Sequence, residues 1–81
     1  MSRRLPTVKQ LTYLVALDQA RHFGRAAEHC FISQSAFSVA IRELENLIGA
    51  QLVDRTNKSV TLTSEGRLFA DRARAVIEEI E

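Results

Sequence analysis

Residues 34–48 carry the pattern that most limits what this chain can become. Phe37, Ile41, Leu44 and Ile48 are spaced four, three and four apart. That spacing lays four large apolar side chains along one stripe of a helix, whereas in a strand it would scatter them over both faces. Ser33 precedes the run as an N-cap, and Gly49 follows it as the left-handed residue that stops a helix. Away from the stripe lie Gln34, Ser35, Ser38, Val39 and Arg42, a thin face of hydroxyls, an amide, one small apolar group and one guanidinium. With 81 residues the chain is near the lower end of what a single hydrophobic core supports. A helix so clearly two-faced therefore has to be a central member of one small domain.

The remaining elements arrange themselves around it. Thr7-Val8-Lys9-Gln10 has the form of a capping box, so a first helix starts at Thr7. Val8, Leu11, Leu14 and Val15 form its apolar stripe, Leu17 broadens it, and it ends near Arg21-His22. This helix reads as support. Phe23 to Ile32 holds a second helix of about two turns, where Ala26 and Ala27 let another helix cross closely. Phe31 and Ile32 are expected to tuck inward at a tight corner. Gln51–Arg55 and Val60–Leu62 read as short strands flanking Thr56-Asn57-Lys58-Ser59, a polar loop of hairpin length. A last helix starts at Thr63 or Ser64 and runs to the end, with Phe69, Ala73, Val76 and Ile80 spaced four, three and four apart. Pro6 and the glycines at 24, 49 and 66 are punctuation, and no internal repeat or low-complexity tract interrupts the order.

The fold class that follows is mainly α: a winged helix-turn-helix of three helices plus a short β-hairpin, then a long helix. Residues 6–63 are expected to form the winged domain, with the helix-turn-helix at 23–42, and residues 64–81 a linker helix for dimerisation. A short second helix, an Ala-Ala crossing and a tight turn make the third helix the member that enters a major groove. Short hydroxyls and amides can approach a groove floor and bond phosphate or base edges, and Val39 suits a thymine methyl. The helix start adds unpaired N–H groups that favour phosphate. Arg55 and Lys58 on the hairpin supply a second cationic projection suited to backbone phosphate. Taken alone, the same helix face also fits a merely solvated surface.

Charge placement agrees with this reading. The net charge is only +1, but residues 1–60 carry eight Lys or Arg against five Asp or Glu, giving +3. Residues 61–81 carry three against five, giving −2. The basic excess sits on the compact part and the acidic excess on the last helix, where Glu78, Glu79 and Glu81 make its tip a poor neighbour for DNA.

The ordered set Phe23-x-x-Ala26-Ala27, Ile32-Ser33-Gln34, Ser38-x-x-Ile41, Leu44-Glu45, Gly49-x-x-Leu52, Arg55 and Leu62-Thr63-x-x-Gly66 resembles the N-terminal domain of LysR-type bacterial transcriptional regulators over about residues 8–80. Within that family, His22-Phe23-Gly24, Cys30 and Ser38-Val39 look closest to the peroxide-sensing OxyR-like branch. The resemblance implies sequence-specific binding of double-stranded DNA. Ser33, Gln34, Ser35, Ser38 and Arg42 match groove-facing positions, and Arg55 matches a wing cation on phosphate. The last helix matches one that pairs antiparallel with a second copy, making a homodimer. Full members continue into a C-terminal effector-binding domain, so the resemblance implies that this chain is a fragment and that any small-molecule effector belongs to the part outside it. Four positions depart from the family pattern: Ser35 stands where Pro is common, Val39 and Ala40 where basic or amide residues are common, and Val53 where Phe is usual.

Other chemistries find little support. The lone Cys30 excludes an internal disulfide framework, fits a cytoplasmic protein, and sits among Ala27, Phe31 and Ile32 as a small core residue rather than a redox switch. Glu28, His29 and Cys30 are consecutive and diverge around a helix, so they do not make a metal site. No nucleophile elbow or Gly-rich phosphate loop is present, so neither catalysis nor a cofactor is expected. No apolar run approaches the roughly 20 residues of a membrane span, and no charge-free apolar segment follows the basic N-terminus as a secretory signal would require. Two alternatives stand beside the regulator reading. The winged fold could serve protein contact alone, although such a surface favours acidic or bulky apolar groups where this chain has Gln34, Ser35, Ser38, Val39 and Arg42. The last helix could pack back on the first instead of pairing with a second copy.

Overall fold

A computed structural model describes residues 5–55 and 60–80. The elements are α1 (Val8–Ala20), α2 (Phe23–His29), α3 (Gln34–Ile48), β1 (Val53–Asp54), β2 (Thr61–Leu62) and α4 (Ser64–Ile80). The strands pair antiparallel, Val53 opposite Leu62 and Asp54 opposite Thr61. The fold is the expected one: mainly helical, with a two-stranded wing.

The capping box of α1 is fully formed. Thr7 Oγ1 accepts the Gln10 N–H at 3.0 Å and Gln10 Oε1 accepts the Thr7 N–H at 2.9 Å. At the other end Arg21 takes a left-handed conformation (φ 54°) and donates its N–H to Leu17 O at 2.8 Å. The buried side of α1 is set by Leu14 and Leu17. Val8, expected in that stripe, is instead exposed. At about 100° per residue it lies some 150° round the helix from the mean direction of Leu14 and Leu17.

The start of α2 is capped by His22, whose Nδ1 accepts the Arg25 N–H at 3.1 Å. Ala26 and Ala27 are buried where α2 meets its neighbours, as their small size requires. The turn that follows is held by Phe31 N–H to Glu28 O and Ile32 N–H to Ala27 O, both 3.1 Å. Ile32 packs on the core. Phe31 does not tuck inward. Its backbone is left-handed (φ 60°), which throws the ring out to 95% exposure.

Along α3, Phe37, Ile41 and Leu44 are fully buried and Ile48 is half-buried. Removing three such side chains from water stabilises the fold by roughly 1.5–3 kcal/mol each before entropy is counted. Tyr13 and Phe23 flank the Phe37 ring at centroid distances of 5.4 and 6.0 Å. Gly49 ends the helix in the left-handed region (φ 79°), where a side chain would be strained.

Thr63 joins the wing to α4. Its hydroxyl donates to Gln51 O at 2.6 Å and accepts the Gly66 N–H at 3.0 Å, and its N–H donates to Leu52 O at 3.0 Å. This seats the first turn of α4 so closely on Leu52 that a Cβ at Gly66 would lie 2.0 Å from the Leu52 carbonyl oxygen. The glycine is obligatory for that approach. Farther along, Ala70 and Ala73 are buried, so α4 lies close against α1.

Candidate nucleic-acid interface

The core stripe fixes α3 in rotation, and that decides which of its side chains remain open. Ser33, Gln34, Ser35, Val39 and Arg42 are exposed and Ser38 is half-buried. Ser33 Oγ accepts the Ala36 N–H at 3.1 Å, so its oxygen is spent on the cap. Ser35 Oγ lies 3.4 Å from Ser33 Oγ, which places two hydroxyls together at the helix start. The first turn of α3 holds no acidic residue. Among the described residues, Arg42 has no ion-pair partner. The six positions therefore share an open surface of donors and one apolar contact, with nothing of opposite charge inside it.

Arg55 is placed differently. It immediately follows β1, yet it does not project as a free loop cation. Its guanidinium bonds both oxygens of Glu45, Nη2 to Oε1 at 3.0 Å and Nη1 to Oε2 at 3.3 Å. It also lies over the Phe23 ring, with Cζ 5.9 Å from the centroid. Glu45 Oε2 accepts the Leu52 and Val53 N–H groups as well, at 2.8 and 3.2 Å. Burial pushes the Glu45 carboxyl upward, but the bonds from Arg55, Leu52 and Val53 outweigh it and hold the pKa below its ordinary value of 4.5. One carboxylate thus fixes the wing to α3. Lys58, the other cation expected on the wing, lies outside the described residues.

The expected seam on α4 divides. Phe69 packs against the core and Ala73 is buried within the chain. Val76 and Ile80 are exposed, by 42% and 63%. An apolar groove runs between Pro6 and Leu11 on one side and Phe69, Ala73 and Val76 on the other. Cys30 is half-buried and packed on the core, and burial raises its thiol pKa, which suppresses the reactive thiolate.

A sequence model described as "Bacterial regulatory helix-turn-helix protein, lysR family" matches residues 8–67. The chain belongs to the LysR family. Among LysR relatives it is 45% identical over 74 residues to the DNA-binding transcriptional dual regulator OxyR of Escherichia coli K12, a match covering 91% of this chain and 24% of that protein. Its fold is similar to the Vibrio fischeri DarR structure in complex with DNA, with a TM-score of 0.91, 39% identity, and coverage of 95% of this chain and 26% of that one. It is also similar to BenM DBD in complex with benA site 1 DNA, with a TM-score of 0.88, 31% identity, and coverage of 91% and 83%. The chain spans about a quarter of the length of the curated relatives it matches.

Sequence reasoning missed the groups that hold this LysR domain's parts at fixed angles. Glu45 stood in the motif but had no assigned task, and its partner Arg55 lies ten residues away. Arg74 Nη2 bonds Asp18 Oδ2 across 56 residues, joining α4 to α1. His22 as the α2 cap was also unforeseen. A carboxylate eight residues before the first strand gives no periodic signal, and contacts as far apart as Asp18 and Arg74 leave none at all.

Proposed function

We propose that this chain binds double-stranded DNA sequence-specifically, with α3 in the major groove and the wing against flanking backbone. The observation that carries the reading is the open face of α3. Ser33, Gln34, Ser35, Val39 and Arg42 are exposed there with Ser38 half-buried beside them, no carboxylate stands among the six, and among the described residues the Arg42 guanidinium has no ion-pair partner. Such a surface complements acceptor-rich base edges and phosphates. Arg55 acts from its Glu45 anchor as an oriented phosphate donor rather than a flexible one, and Lys58 adds to it.

In the same reading two copies pair through α4 and read two half-sites. Val76 and Ile80 supply the exposed apolar contacts and Phe69 lines the groove beside them, while Ala73 is buried within its own chain. Residues 6–63 form the reading unit and 64–81 the connecting helix. The chain is then the N-terminal part of a cytoplasmic transcription regulator whose effector site lies in a further domain. Among the described residues no helix is long and apolar enough to cross a membrane.

Titration against mixed-sequence duplex tests the reading. Binding should weaken steeply with salt, because each neutralised phosphate releases counterion. Arg42→Ala should lose about 1–3 kcal/mol on a duplex selected from random sequence and relax preference at particular bases. Unchanged affinity and preference would refute the assignment of the face.

A further inference from the structure

The way α4 leaves the body of the domain carries a second conclusion. The α4 residues buried against the rest of the chain are Gly66, Ala70 and Ala73. Small side chains bring the two helices close and Phe69 packs beside them on the core, so α4 is held as far as Ala73 by packing and beyond it mainly by polar contacts. Beyond Ala73 the helix opens to solvent through Ala75, Val76, Glu78, Glu79 and Ile80. Arg74 sits at that departure point. It bonds Asp18 on α1 and, within its own helix, Asp71 Oδ1 at 3.0 Å. Of the ion pairs between described residues, Arg74 with Asp18 is the one that ties α4 to another element. The Asp18 carboxylate is only 10% exposed and the Arg74 side chain 32%, so the contact is partly shielded from water and from salt.

Resting on the two-copy reading above, we propose that the Asp18–Arg74 contact sets the separation of the two half-sites that a pair of these chains accepts. The geometry makes this sensitive. A helix of 17 residues is about 25 Å long, so rocking it by about 10° moves its tip by about 4 Å. One base-pair step along a strand is about 3.4 Å. A two-fold axis through paired α4 helices applies the displacement to both reading heads. Loss of one ion pair is thus enough to blur the register by a base pair or more while leaving each α3 untouched. Asp18 and Arg74 are positioning residues: neither belongs to the DNA-facing surface.

The test uses the whole chain and a half-site enriched from random duplex. Two inverted copies are placed at separations stepped one base pair at a time through a full helical turn. The intact chain should show a sharp optimum, losing about tenfold in affinity one base pair away from it. Asp18→Asn, which keeps volume and an acceptor oxygen, should flatten that loss to about threefold or less. Arg74→Gln should do the same from the other side of the contact. Both should bind an isolated half-site as the intact chain does, and Asp71→Asn should keep the sharp optimum. An unchanged spacing profile in Asp18→Asn and Arg74→Gln would overturn the proposal. An intact chain indifferent to separation would overturn the two-copy reading and this inference with it.

Discussion

Arg42 and Arg55 were both expected to meet DNA, yet the fold treats them oppositely. Arg42 stands on the exposed face of α3 without a partner among the described residues, while Arg55 is gripped by Glu45 and laid over Phe23. The difference generalises to two regions. The face of α3 holds its polar groups in reserve, whereas the frame behind it spends them on joints: Glu45 with Arg55 for the wing, Asp18 with Arg74 for α4, Thr63 for the turn between wing and helix. Changes in the frame should therefore cost stability first, and changes on the face, the Ser33 cap apart, should cost binding alone.

The largest effect belongs to the frame. Gly66→Ala drives a Cβ into backbone, which cannot yield as a side-chain tip would. Thermal or denaturant unfolding should show a loss of about 3 kcal/mol or more. A loss near zero would mean that α4 is not seated on Leu52.

Next comes the wing joint. Glu45→Gln keeps the shape but removes the charge that Arg55 and two N–H groups share, and should cost about 1–3 kcal/mol at neutral pH. The folded pKa of Glu45 is depressed, so its contribution is fully present above the ordinary value of 4.5 and fades as pH falls through the lower folded value. In acid titrations of stability, the gap between the intact chain and Glu45→Gln should narrow progressively as pH falls below 4.5. A constant gap would contradict the joint.

The Arg42→Ala loss of binding described above is the counterpart on the face. It sharpens the comparison only if unfolding stability stays within about 0.5 kcal/mol of the intact chain. The smallest effect is expected at the turn. Phe31 holds a left-handed backbone with its ring in water, so Phe31→Asn should gain about 0.5–1 kcal/mol in unfolding measurements. A clear loss would show that the ring stabilises the fold.

These two regions also differ in how far they could be read from the letters. The face of α3 was legible because helical periodicity is local. Once Phe37, Ile41 and Leu44 point inward, the outward positions follow, and Ser33 and Gly49 mark the ends. The capping box at Thr7 and Gln10 was legible for the same reason. The joints were not, because Glu45 with Arg55 and Asp18 with Arg74 form only when distant segments pack. Phe31 failed by another route: apolar character argued for burial, but the hydrogen bonds of the turn require a left-handed residue there, and backbone geometry prevailed over hydrophobicity. Val8 failed because a four-residue stripe left the buried direction of α1 undecided between its edges, and Leu14 and Leu17 drew it away.

The most direct test is to follow the backbone amide signals of the isotopically labelled chain as a selected duplex is added. The largest shifts should fall at residues 33–42, with a second group at Arg55 and little change along the buried side of α4. Largest shifts on α4 or α1, with 33–42 unmoved, would contradict it.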